Sequence, residues 1–140
     1  MTENFKIISS FIKDMSSETP DIQTFLFVRE KISNYQLNID INSKPLKNGI
    51  IEINIILKFT DKPDAPKKSY FEITYTSVVK VDEKVSDKKE MEKIILCDVP
   101  NKIYPTLEKI FINLLTDSGF PGIKFEKKVD FTKLYKQRSN

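Results

Sequence analysis

The chain predicts an α+β fold: a four-stranded antiparallel sheet with C-terminal helices packed on one of its faces. Three observations carry that prediction. Residues 35–42 and 51–59 alternate apolar and polar side chains at period two, as strands with one buried face do. Residues 69–81 alternate as well, but carry some apolar character on both sides. Beyond Ser86 the apolar spacing changes to three and four, the period of helices. Strands first and helices after is the α+β order, not an alternating β-α-β one.

In chain order, Phe5–Met15 is rich in strand formers and predicts a strand ending near Ser16. Pro20 stops regular structure, and Asp21 is placed to cap a brief helical turn through Phe27. Tyr35, Leu37, Ile39 and Ile41 form one face of a second strand. A turn over 43–49 leads to a third strand with Ile51, Ile53, Ile55, Leu57 and Phe59 on one face. Pro63 and Pro66 break the next stretch into a loop. On the fourth strand, Phe71, Ile73, Tyr75, Ser77, Val79 and Val81 share a face; Tyr70, Glu72, Thr74, Thr76, Val78 and Lys80 share the other. Its mixed second face implies burial on both sides, which another subunit could supply. Ser86 is placed to cap a helix that Val99-Pro100 ends. A longer helix follows through Ile103, Leu107, Ile110, Phe111, Leu114 and Leu115 and stops at Gly119. Asp130 can cap a last short helix through Tyr135. No repeat or linker divides residues 1–140, so one domain is expected.

Composition narrows the function. The chain has 140 residues and no histidine, so it lacks the commonest general base and metal ligand and any Ser-His or Cys-His pair. One cysteine, Cys97, leaves a zinc site dependent on carboxylates, and neither Gly-rich phosphate-binding signature occurs. The expectation is a binding protein, not an enzyme, with no cofactor and no metal. The net charge of +3 is scattered as Lys pairs interrupted by acids, which reads as solvated surface and not as a nucleic-acid face. No apolar window reaches a membrane span and no secretory leader is readable, so a cytoplasmic protein is expected, with no nucleic-acid partner and no direct membrane insertion.

Two regions carry a resemblance. The first is Phe11-Ile12-Lys13-Asp14-Met15-Ser16-Ser17-Glu18-Thr19-Pro20. The second runs from Pro100-Asn101-Lys102-Ile103-Tyr104-Pro105 through Gly119-Phe120-Pro121 to Asp130-Phe131-Thr132-Lys133-Leu134-Tyr135. Their order and spacing resemble the SecB family of bacterial protein-export chaperones over nearly the whole chain. The departures are Thr106-Leu107-Glu108 after Pro105, Thr76-Ser77 where the family has two glycines, and a basic ending, Lys136-Gln137-Arg138-Ser139-Asn140, where an acidic tail is usual.

The resemblance implies an ATP-independent holdase that binds unfolded precursor proteins and delivers them to the translocation ATPase, SecA. It implies a homotetramer, a dimer of dimers. Ile22, Phe25, Leu26 and Phe27 match the crossover segment of the client groove, and Tyr35, Leu37 and Ile39 match groove positions on the second strand. Asp14, Glu18 and Glu72 match the acidic contacts to the ATPase, and Phe71, Ile73 and Tyr75 match a subunit interface. The basic charge and altered tail also suit a SecB-like chaperone of a single client such as an antitoxin. A small interaction domain with no chaperone role is the rival from another class.

Overall fold

The computed structural model describes residues 4–125 and 129–139. Strands β1 (Phe5–Glu18), β2 (Gln36–Pro45), β3 (Ile50–Thr60) and β4 (Tyr70–Val81) form one antiparallel sheet in the order β1-β4-β3-β2. Strands β2, β3 and β4 form a meander. The first strand does not extend it at the β2 side, however, but lies beside β4. Helix α1 (Ile22–Lys31) therefore carries the chain from one edge of the sheet to the other, in a Greek-key arrangement. Sequence spacing does not give this order, because alternation fixes which face a side chain takes and not which strand lies next to it.

Register places the alternating residues on a common face. Leu37 pairs with Phe59 and Phe59 with Phe71; Ile39, Leu57 and Ile73 align in the next row, and Ile41, Ile55 and Tyr75 in the one after. This face meets the helices: Phe71 stacks edge-on against Phe120 at 5.5 Å, and Phe59 against Phe125 at 5.6 Å. Leu57, Ile53, Ile73, Val79, Leu107, Phe111 and Leu115 are fully buried between the layers. The β2–β3 turn closes through Asn48 and Gly49 at φ 64° and 72°, a left-handed conformation that Asn and Gly tolerate. Strand β2 runs on to Pro45, into the expected turn of 43–49; at the sheet's edge the missing proline N–H leaves no ladder bond unmade.

The helices differ from expectation in three ways. The brief turn after Asp21 is a full ten-residue helix, capped by the Asp21 carboxylate, which accepts from the Thr24 N–H at 2.7 Å. Hydrogen bonds from the Thr24 side chain and its N–H hold the Asp21 carboxyl below its usual pKa. Asp87, not Ser86, caps α2 (Lys88–Lys93), its side chain accepting from Lys89. Val99-Pro100 does not end the helical run. A π-helical turn over Ile94–Asp98, closed by the Val99 N–H on the Ile94 carbonyl, joins α2 to α3 (Val99–Asp117). Pro100 sits in the first turn of α3, where its absent N–H is tolerated, and Pro105 lies inside the helix. Helix α4 (Phe131–Ser139) closes the fold, with Phe131 packed edge-on against Tyr104 at 5.4 Å.

Candidate functional site

The residues expected in a client groove divide into two groups. On α1, Ile22 and Leu26 lie one turn apart and are exposed, while Thr24 and Val28 are buried. Phe25 turns inward. Its ring lies 5.2 Å from Phe120 and directly over Gly119, where an added Cβ would approach Cε1 to 2.5 Å. Phe25 is thus a plug between α1 and the end of α3, and Phe27 is half-buried against the same core. The apolar surface that α1 offers to solvent is Ile22 and Leu26.

Tyr35, Leu37 and Ile39 come together in a groove of about 990 Å³, between the first half of β2 and the segment after α3. Tyr35 is its floor: the ring packs on Phe59 at 5.4 Å and Phe71 at 6.4 Å, and the hydroxyl accepts from the Ser69 N–H at 2.9 Å. Burial raises the Tyr35 pKa, so the phenol stays neutral across physiological pH. Leu37 and Ile39 are half-buried along one wall. Ile123 and Phe125 supply the facing wall, with Ile32 at one end. Sequence reasoning missed Ile123 and Phe125, although an Ile-x-Phe alternation after Pro121-Gly122 was the available signal. The groove is wide, and alongside Ser33, Gln36 and Lys124 its apolar walls of Leu37, Ile39, Ile123 and Phe125 can accept many apolar side chains without reading their sequence.

Asp14, Glu18 and Glu72 meet on the opposite, open face of the sheet. Ser16 pairs with Glu72, and Asp14 and Glu18 lie two residues to either side of Ser16 on β1. Diagonal neighbours in a sheet are within about 7–8 Å, so the three carboxylates make one acidic patch. Asp14 and Glu18 are exposed, and Glu72 pairs with Lys58 at 3.6 Å. That face is otherwise held by a polar ladder: Thr76 Oγ1 donates to Asn54 Oδ1 at 2.6 Å, and Asn54 Nδ2 donates to Asn42 Oδ1 and Glu52 Oε2, both at 2.9 Å. Lys13 extends it to β1 through Glu52 at 3.3 Å, and these bonds hold the Glu52 pKa below the ordinary value.

Phe71, Ile73 and Tyr75 are not available as an interface. They face the chain's own helices and are 1%, 0% and 9% exposed, so a partner could reach them only by displacing that layer. The uncovered apolar surface lies one strand over. Ile8, Phe11, Ile12 and Met15 on β1 are each exposed by 43–52%, along a strand whose outer edge pairs with nothing among the described residues.

The whole chain, residues 1–140, matches the family described as preprotein translocase subunit SecB. The chain belongs to the SecB family. It is 79% identical to the putative protein-export protein SecB of Pelagibacter ubique strain HTCC1062, over the full length of both. It is 27% identical over 128 residues to the protein-export protein SecB of Methylocella silvestris, covering 91% of this chain and 78% of that one. In fold it is similar to the Mycobacterium tuberculosis Rv1957 SecB-like chaperone, solved in complex with a ChAD peptide from the Rv1956 HigA1 antitoxin. That likeness has a TM-score of 0.63 at 10% identity and covers 89% and 91% of the two chains. Membership makes the chain an export chaperone that binds unfolded proteins, and members of the SecB family are chaperones rather than enzymes. Among the described residues no group of His, Cys, Asp and Glu is placed to hold a metal, and no helix is long and apolar enough to cross a membrane.

Proposed function

We propose that residues 1–140 act as one domain of a cytoplasmic, ATP-independent holdase that keeps export-destined precursors unfolded in the β2 groove. The observation that carries this reading is the groove itself: an open channel floored by Tyr35 and flanked by the apolar side chains of Leu37, Ile39 and Phe125. Apolar segments of an unfolded chain bind there by burial alone, at about 25 cal/mol per Å² of apolar surface removed from water. Ile22 and Leu26 extend the apolar surface from α1. The acidic patch of Asp14, Glu18 and Glu72 offers the handover contact to the translocation ATPase SecA. Four copies assemble as a dimer of dimers, with β1 as the contact in place of the buried β4 residues.

Suppression of aggregation of several unrelated unfolded proteins, without ATP, tests the holdase directly. Leu37→Asp is expected to abolish that protection while the circular dichroism spectrum stays native. Protection that survives Leu37→Asp places the clients elsewhere. Neutralising Asp14, Glu18 and Glu72 together is expected to weaken SecA binding at low salt and to leave client binding intact. Light scattering is expected to give a mass near four chains, and Phe11→Lys with Met15→Lys to lower it; a strict monomer overturns the assembly.

A further inference from the structure

Charges that look scattered along the chain sort themselves on the open face of the sheet. At the end nearest the β2–β3 turn, Lys6 stands directly opposite Lys80. One row on, Lys44 stands opposite Glu52, which Lys13 reaches at 3.3 Å. A neutral row of Phe11, Thr76, Asn54 and Asn42 follows, with Phe11 48% exposed. Beyond it Asp14 and Asp40 share a row, Glu72 lies in the next and Glu18 in the one after, with Lys58 3.6 Å from Glu72. The turn end thus holds four lysines against one glutamate, and the far end four carboxylates against one lysine. Like charges facing one another on a sheet are unfavourable, and little inside the chain offsets them here. Lys80 donates to the Asn48 carbonyl, while Lys6, Lys44, Asp14 and Asp40 are exposed and make no ion pair among the described residues.

A second copy laid face to face and turned end for end meets this pattern with its opposite. The two-fold axis then runs between the sheets, perpendicular to the strands and over the neutral row, so each strand lies over its own counterpart. Lys80 faces Glu72 of the second copy, two rows out from the axis, and Lys44 faces Asp40, one row out. Lys6 falls between Asp14 and Glu18, and Phe11 meets its own counterpart on the axis. Symmetry makes each of these charge pairings twice. Stacked sheets lie about 10 Å apart and cross at about 30°, a spread that lysine side chains can span. Four strands of ten to fourteen residues present roughly 700 Å² per copy, at about 4.8 Å between strands and ~3.4 Å per residue. That is close to the ~800 Å² each partner buries in a standard interface.

We propose that the open face is a docking surface for a second copy of this chain, stacked end for end so that its lysine end covers the acidic patch. Side-by-side contact through β1 leaves this face uncovered, so stacking is a contact additional to that assembly. It stands on the register of the charges and not on the role of the patch toward SecA. Stacked copies hide Asp14, Glu18 and Glu72 from any other partner. Exposed ion pairs are individually weak, so the stack forms reversibly and only where salt does not screen it.

The test follows the particle mass of the full chain by light scattering at about 20 mM and about 0.5 M salt, where screening lengths are near 20 Å and 4 Å. The parent is expected to double in mass from high to low salt. Asp40→Lys and Lys44→Glu each set like charge against like, and each alone is expected to keep its high-salt mass at low salt. An equal mixture of the two is expected to double again, because in the mixed stack every position 40 faces a position 44 of opposite sign. Should either variant fail to fold by circular dichroism, Glu72→Lys with Lys80→Glu repeats the design two rows out. A parent mass that salt leaves unchanged, single variants that double as the parent does, or a mixture of folded variants that does not double overturns the proposal. The high-salt mass reports the β1 assembly separately, so a monomer there overturns that assembly and leaves the stacking readable.

Discussion

Replacing Phe25 by alanine separates the two roles an aromatic on α1 can have. If the ring faced clients, its loss would weaken binding and spare the fold. The structure places it instead over Gly119 and against Phe120, so the loss should fall on stability. A fully buried Phe→Ala change costs about 3–5 kcal/mol; Phe25 is only half-buried, which scales the expectation to ~2–3 kcal/mol. At ~2–4 °C per kcal/mol for a chain near this size, the melting temperature should fall by about 5–10 °C. Leu26→Ser, on the solvent side of the same helix, should stay within ~0.5 kcal/mol of the parent and weaken client binding. Gly119→Ala sharpens the argument. Its φ of 102° strains any Cβ by about 1–3 kcal/mol, and the 2.5 Å approach to the Phe25 ring adds a clash. In the Phe25→Ala, Gly119→Ala double variant the clash disappears and the backbone strain stays, so the two single losses should sum to more than the double. Thermal melts by circular dichroism, with client anisotropy on the same samples, decide the matter. An unchanged melt together with lost client affinity in Phe25→Ala would falsify the inward placement.

Tyr104→Phe should raise the melting temperature by a few degrees, because among the described residues its buried hydroxyl has no partner in good hydrogen-bond geometry, with Glu108 near but not aligned, and removing it recovers about 1 kcal/mol. Asn54→Ala should cost about 2 kcal/mol in urea denaturation, since it strands Thr76 Oγ1, which is buried and donates to Asn54 at 2.6 Å. An equal loss in a Thr76→Val, Asn54→Ala double variant is not expected, because the two groups then vanish together. Burial raises the pKa of both Tyr35 and Tyr104 above the ordinary 10.0, Tyr104 by more, with the Glu108 carboxylate adding to its shift. Raised folded-state values mean that this contribution is complete below pH ~10 and is lost as the pH climbs from there through the folded pKa values. Phenolate absorbance should therefore rise late for these two tyrosines and coincide with alkaline unfolding; early titration of all five would count against their burial.

The strands were legible because period-two alternation maps directly onto pleat geometry. Ile51, Ile53, Ile55, Leu57 and Phe59 are all buried on one face, as their spacing required. Strand order was not legible: β1 lies beside β4 through a register that sequence spacing does not encode. Helix ends went wrong where local stop signals met tertiary packing. Val99-Pro100 carries a breaker signal, but a π turn over 94–98 absorbs the missing N–H and lets the apolar stripe continue into α3. In the site, alternation put Tyr35, Leu37 and Ile39 on one face and the resemblance, not the spacing, gave them a groove role, whereas Phe25 could not be assigned from its own segment. Its inward turn depends on Gly119, almost a hundred residues away, leaving room for the ring. The carboxylates Asp14, Glu18 and Glu72 are adjacent only through the β1–β4 register, so their joint position comes from the sheet and not from their spacing.

The mixed character of β4 pointed to a second covering surface, and the fold moves that demand to another strand. On the open face of β4, Thr76 is buried by its neighbours and bonded to Asn54, which accounts for its burial without a partner, while Tyr70 on the same face stays exposed. The demand falls on β1, fourteen residues long, free of proline, and carrying Ile8, Phe11, Ile12 and Met15 exposed on an unpaired edge. A long edge strand with exposed apolar residues pairs with other chains indiscriminately unless something covers it. A second copy of the same edge would cover it with matching length and chemistry, which is why the proposed assembly uses β1. Among the described residues the other edge is unpaired. Strand β2 ends in Pro45, carries Asn38, Asp40 and Asn42 on its outer face, and lines a concavity at each end. In the proposed assembly the two edges of one sheet take different work: β1 is blunted by self-association, and β2 stays open beside the proposed client groove.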